Sequence, residues 1–139
     1  MTLSLESIHV SLGGQPVLRG VDLDVQPGEV VGLIGSNGAG KTTLVRVASG
    51  VLNPDAGSVA LMGRSLSSYS RRELAQQIAV VPQDLHVPFP FRVGEIVLMG
   101  RAPHQAWYGF ETREDVERAR DAMESLGIAQ LANRSILDL

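Results

Sequence analysis

A chain of 139 residues, 44% hydrophobic and 19% charged, is long enough for one domain with a core and has the composition of a globular rather than a disordered protein. Its formal net charge of -3 argues against broad nucleic-acid binding, which needs a basic surface, so no nucleic-acid partner is expected. It has no cysteine, which excludes disulfides and thiolate metal sites and makes a reducing compartment the expected setting. The opening residues Met1–Val10 lack the basic-then-apolar pattern of a secretory signal. No apolar run approaches the roughly 18 residues that cross a bilayer, so a link to a membrane is expected to run through a partner.

In chain order, Leu3–Leu12 reads as a strand whose apolar phase shifts between Leu5 and Ile8, the mark of a bulge. Gly13-Gly14-Gln15-Pro16 is a turn signal. Val21, Leu23 and Val25 then alternate with Asp22, Asp24 and Gln26 as in a half-exposed strand. Pro27-Gly28 leads into Val30-Val31-Gly32-Leu33-Ile34, which reads as a buried strand, and Thr42–Ser49 reads as a helix with Gly50 as its C-cap. Asn53–Gly57 is a loop and Ser58–Met62 a strand. Ser70 and Glu73 have capping-box spacing ahead of a short helix through Gln77, and Ile78–Val81 reads as a short strand ended by Pro82-Gln83. Val93, Ile96, Val97 and Gly100 follow helical spacing. Val116, Ala119, Met123 and Leu126 do so again on a helix opened by Thr112 and closed by Gly127, with a solvated face carrying i,i+4 pairs such as Glu114–Arg118. Both apolar stripes read as core.

The chemistry is concentrated between the predicted buried strand and the first helix. Gly35-Ser36-Asn37-Gly38-Ala39-Gly40-Lys41-Thr42-Thr43 fits G-x-x-x-x-G-K-S/T at every fixed position, in the strand–loop–helix context that a phosphate-binding loop requires. Glycines allow successive N–H groups to turn toward one anion, and the helix N-terminus behind them adds unpaired donors and about half a positive charge. Lys41 can reach the β- and γ-phosphates and the Thr42 hydroxyl can join a Mg²⁺ shell, so the motif implies a bound nucleoside triphosphate. His9, His86 and His104 have no metal-ligand spacing, and His9 and His86 read as structural. Trp107-Tyr108 reads as part of a loop, facing a partner or covering the core.

The flanking residues narrow the class. Val17-Leu18, Val21-Asp22-Leu23 and Pro27–Ile34 run straight into Gly35–Leu44, Leu52–Val59 follows, and Val80-Val81-Pro82-Gln83 comes after that. This arrangement closely resembles the ATP-binding subunit of ABC transporters. The run Phe89–His104, with Met99-Gly100-Arg101-Ala102-Pro103-His104 at its end, resembles the branch that serves haem, ferric-siderophore and cobalamin importers. The resemblance implies an α/β P-loop NTPase fold with an N-terminal antiparallel β-subdomain meeting a parallel P-loop sheet, followed by the start of a helical subdomain. The β-subdomain and P-loop core would occupy about 1–83, and the Q-loop and helical subdomain about 84–139. It implies ATP and Mg²⁺ as cofactors, Lys41 and Gln83 as catalytic contributors, and Thr42 and Gln83 as metal contacts. Leu12 would lie where the family usually has an adenine-stacking aromatic, with Val17 also at the nucleotide. The implied partners are a transmembrane permease, received by residues from just after Gln83 to about Arg101, a second ATPase copy, and a periplasmic or lipoprotein substrate-binding protein. The implied location is the cytoplasmic face of the inner (plasma) membrane, peripheral through the permease. The family's signature sequence, Walker B aspartate, catalytic glutamate and switch histidine should lie beyond Gln83. The sequence stops at Ile136–Leu139, about where the signature should begin, so it reads as the N-terminal part of a longer ATPase, or a truncated gene product, an incomplete domain in either case. Two other readings stay open: a soluble ABC-type ATPase of DNA repair or translation, and a non-catalytic nucleotide-binding fragment.

Overall fold

The structure, a computed structural model, describes residues 2–83, 89–105 and 110–139. They form two compact units, Met1–Val80 and Val81–Leu139. The sequence features at His86, Val87-Pro88 and Trp107-Tyr108 fall outside the described residues.

The first unit is built on a four-stranded antiparallel sheet of order β2-β1-β3-β4, from β1 (Leu3–Leu12), β2 (Gln15–Val25), β3 (Ala56–Leu61) and β4 (Arg64–Ser65). β1 is central because both its edges are paired, to β2 on one side and β3 on the other. Its register slips between Leu5 and Ile8, where the apolar phase shift places a bulge. The bulge is tied down: Ser7 takes φ 48°, and its amide donates to Oδ1 of Asp22 at 2.6 Å. Gly57 of β3 crosses it so closely that a Cβ there would lie 2.4 Å from the Ser7 carbonyl oxygen and 2.5 Å from that of Glu6. Only glycine fits such an approach, and its φ of 97° is also in the glycine-favouring region.

One face of the sheet packs on helix α1 (Lys41–Ala48). Leu44 and Val47 of α1 join Leu5, Ile8, Val10, Leu18, Val59, Leu61 and Leu66 in a single core, with Ile8, Val47 and Leu61 fully buried. Full burial of side chains of this size contributes about 1.5–3 kcal/mol each, which makes this cluster the main source of stability in the unit. Helix α2 (Arg71–Gln77) begins with the expected capping box: Ser70 Oγ accepts from the Glu73 amide, and Glu73 Oε2 accepts from the Ser70 amide at 2.6 Å.

Two expected strands do not form. Val30–Ile34 takes no regular structure and pairs with nothing among the described residues; Val30 is 96% and Ile34 99% exposed. Ile78–Val81 is likewise unpaired. A strand is stable only when neighbours about 4.8 Å away accept its N–H and C=O groups, and an apolar run signals burial without supplying those neighbours. Every strand pairing among the described residues is antiparallel, so the expected parallel P-loop sheet is absent from them.

The second unit holds α3 (Val93–Met99) and α4 (Arg113–Ser125). Residues near 132–136 run back along the start of α3: the amides of Val93 and Gly94 donate to the carbonyls of Arg134 and Ala132, and that of Ile136 to the carbonyl of Phe91. α4 opens at Thr112 as its capping residue and breaks after Leu126. Its apolar stripe is narrower than the spacing suggests, because Ala119 and Met123 are buried while Val116 and Leu126 are exposed. The Glu114–Arg118 pair forms on the solvated face, beside Arg113–Glu117 and Arg120–Glu124.

Candidate functional site

The loop Gly35–Gly40 follows the Val30–Ile34 segment, turns through a hydrogen bond from the Ala39 amide to the Ser36 carbonyl, and enters α1 at Gly40. α1 starts here because Gly40 takes φ 90°, ψ 5° and its carbonyl accepts the first helical hydrogen bond from Leu44 at 2.8 Å. Among the described residues no side chain caps this end, and no acidic residue lies in its first turn. The amides of Lys41, Thr42 and Thr43 therefore have no hydrogen-bond partner among the described residues, which leaves three N–H donors and the positive end of the helix dipole for an anion.

The Lys41 ammonium folds back over the loop. Nζ donates to the carbonyl oxygen of Gly35 at 2.7 Å and to that of Ser36 at 2.8 Å. Gly35, Ser36, Asn37, Gly38, Ala39 and Thr42 are exposed around it, while Thr43 turns into the core side of α1 and Gly40 is buried. Gly40 is buried against β2: a Cβ on it would lie 2.9 Å from Cδ2 of Leu18, 3.2 Å from the Val17 carbonyl oxygen and 3.3 Å from Cγ1 of Val17. Half-buried Val17 thus backs the loop. Leu12 ends β1 opposite Gln15 and is 45% exposed at the hairpin turn of the same sheet. The structure brings Gly35–Thr43 and Val17 together; Gln83 is exposed and belongs to the second unit. For a triphosphate with its cation, this donor set fits: unpaired amides, one ammonium and an exposed hydroxyl at Thr42.

In the second unit, the Phe89–His104 run carries both surface and anchor. Phe89 is 62% exposed and meets Phe91 edge-on with ring centroids 6.1 Å apart. Met99 is also exposed. Arg101 instead turns inward, Nε donating to Oδ1 of the buried Asp115 at 3.1 Å. Oδ2 of Asp115 accepts from both the hydroxyl and the amide of Thr112, at 2.8 and 3.1 Å. These Thr112 hydrogen bonds, and then Arg101, hold the Asp115 carboxyl below the usual aspartate range. This anchor was not among the expected site residues, although the Thr112-x-x-Asp115 spacing ahead of an apolar stripe is a capping-box signal.

The chain belongs to the ABC transporter family, which it matches over residues 18–138. It is 44% identical over 132 residues to the hemin import ATP-binding protein HmuV of Gloeobacter violaceus, covering 95% of this chain and 47% of that protein. It is also 39% identical over 139 residues to the cobalamin import ATP-binding protein BtuD of Halobacterium salinarum, covering all of this chain and 34% of the relative. Among solved structures, the ADP conformation of an ATP-binding cassette of an ABC transporter matches with TM-score 0.79 at 30% identity, over 100% of this chain and 59% of that one. An ABC transporter in an inward-facing conformation matches with TM-score 0.81 at 28% identity, over 99% and 49% of the two chains. The chain thus spans about half the length of the hemin-import relatives it matches. Its fold is the P-loop NTPase fold of ABC ATPases, with the antiparallel β-subdomain at its N-terminal end. No helix among the described residues is long and apolar enough to cross a membrane.

Proposed function

We propose that these residues are the nucleotide-cradling part of the ATP-binding subunit of an ABC importer, which couples ATP hydrolysis to uptake of haem, ferric siderophore or cobalamin. The observation that carries the reading is the loop itself: Lys41 at the head of α1 with three unpartnered amides around it, in a chain 39–44% identical to hemin and cobalamin import ATP-binding proteins. In this reading the amides of Lys41, Thr42 and Thr43 and the Lys41 ammonium receive the β- and γ-phosphates, where phosphoryl transfer depends mainly on positioning and charge neutralisation. Leu12 and Val17 lie on the base and ribose side. Thr42 and Gln83 would hold Mg²⁺, which when bound neutralises charge developing on the phosphate oxygens. The division of the chain follows the same reading, with β-subdomain and loop core to about residue 83, and Q-loop and helical subdomain from about 84.

In this reading hydrolysis is carried out by a pair of ATPase subunits, with the family's signature sequence and general base acting beside the residues described above. The permease would be received by the surface after Gln83 to about Arg101, where Phe89 and Met99 are exposed. A substrate-binding protein outside the membrane completes the system, and the subunit would sit on the cytoplasmic face, held by the permease. Lys41→Ala tests the cradle directly. MgATP titration by calorimetry is expected to lose its signal, since a charge-assisted contact to phosphate is worth about 1.5–3 kcal/mol and the substitution removes the loop's own ammonium. An unchanged dissociation constant would remove the assignment. For the partner surface, Arg92→Cys in this cysteine-free chain should give a crosslink that depends on a co-expressed permease. The same products with and without permease would count against that surface.

A further inference from the structure

We propose that Leu18 is a positioning residue for the phosphate loop: it sets how far Gly40, and with it the first turn of α1, stands forward toward a bound triphosphate. The inference rests on the nucleotide reading and assigns a residue that touches no ligand.

Leu18 has two faces. Through one it belongs to the sheet, pairing with Val10 in the β1–β2 ladder and packing in the core with Leu44 and Val47. Through the other it meets the loop, since its Cδ2 would be only 2.9 Å from a Cβ on Gly40. The backbone at Gly40 therefore cannot move toward β2 without meeting a side chain that is itself 5% exposed and fixed by the core. Beside this contact lies a cleft of about 170 Å³, lined among others by Leu18, Leu33, Ala39, Gly40, Lys41 and Leu44. The loop has open space behind it, and at Gly40 that space is filled by Leu18, with Val17 beside it at slightly longer range. Gly40 also carries the carbonyl on which α1 begins, so a shift of Gly40 would turn the Lys41, Thr42 and Thr43 amides together. Hydrogen bonds lose strength steeply with misalignment, so a small retreat of this one backbone unit weakens several phosphate contacts at once.

The test separates positioning from general stability. Leu18→Ala is compared with Leu61→Ala, which empties an equally buried core position that does not line the cleft behind the loop. Urea unfolding gives the stability of each variant, and ligand-observed NMR titration of MgATP gives its affinity. Leu18→Ala is expected to weaken MgATP about tenfold, the cost of roughly one charge-assisted hydrogen bond, with Leu61→Ala within about twofold of the parent at a similar loss of stability. Leu18→Met, which keeps the volume, should restore affinity; should Leu18→Ala fail to fold, Leu18→Val replaces it in the comparison. Parent-like affinity in the shortened variant, or equal losses in the Leu18 and Leu61 variants, would overturn the positioning role while leaving the Lys41 result intact. A parent chain that does not bind MgATP would overturn the nucleotide reading, and this inference with it.

Discussion

Leu3–Leu12 and Val30–Ile34 are two apolar-rich segments of the same unit, and the one with the denser apolar sequence is the one that does not become a strand. β1 reads LSLESIHVSL, mixed and interrupted by a bulge, yet it is paired along both edges and buries Leu5, Ile8 and Val10. Val-Val-Gly-Leu-Ile has no polar residue, yet among the described residues no backbone hydrogen bond reaches it. Hydrophobicity asks for burial, whereas a strand also needs partners for its amides and carbonyls. β1 has both and Val30–Ile34 has neither, which makes the pair a direct measure of what pairing contributes.

The largest expected effect comes from cutting the same kind of side chain on each segment. Ile8→Ala should destabilise the unit by about 3 kcal/mol in urea unfolding, because Ile8 is fully buried and its removal leaves a cavity. Ile34→Ala should change it by less than about 0.5 kcal/mol. Amide hydrogen exchange on the parent would sharpen the contrast, with β1 protected and residues 30–34 exchanging nearly as in a free peptide. A large cost for Ile34→Ala would mean that the segment is buried in solution. The next effect tests the bulge: Gly57→Ala should cost about 2–3 kcal/mol, since a methyl group cannot share space with the Glu6 and Ser7 carbonyls and the backbone there is left-handed. A smaller loss would show that the bulge can relax.

The smallest effect lies in the second unit, where a cap replaces pairing as the organising device. Thr112→Ala should lower its stability by about 1 kcal/mol. Thr112 and Arg101 hold the Asp115 carboxyl below its ordinary value of 3.8, so the folded state favours the ionised form. The stability from this shift is complete above that ordinary value and is lost as pH falls through the lowered one. Circular dichroism of the parent and Thr112→Ala between neutral pH and about pH 2 should therefore show the two converging as acid removes the charge. A parent–variant difference that stays constant with pH would detach the cap from Asp115.

The sequence made the site more legible than the sheet around it. Gly35–Thr43 could be read because its residue types are dictated by local geometry, and the capping spacings at Ser70 and Thr112 by contacts within one turn. The bulge in β1 showed for the same reason, as a break in a period of two. Val30–Ile34 and Ile78–Val81 misled because their state depends on partners distant in sequence, which a local pattern does not name. Val116 and Leu126 misled for a related reason: helical spacing draws a stripe, and the width of the surface that meets it decides how much of the stripe is covered. Leu18 is legible in the sequence only as part of the Val17-Leu18 run that carries the family resemblance. Its nearness to Gly40 is a fact of tertiary packing.

The two carbonyls that hold Lys41 give the loop a placeholder. An ammonium has three N–H donors, and Gly35 and Ser36 engage two of them. The cation is thus kept over the loop by neutral acceptors, with one donor that no described residue engages left for an incoming ligand. Capture of an anion can begin on that third donor and proceed by exchange, each neutral acceptor giving way to a charged and stronger one. No step in such a handover requires a bare ammonium, so the side chain proposed to hold phosphate stays solvated or bonded throughout the ligand's arrival.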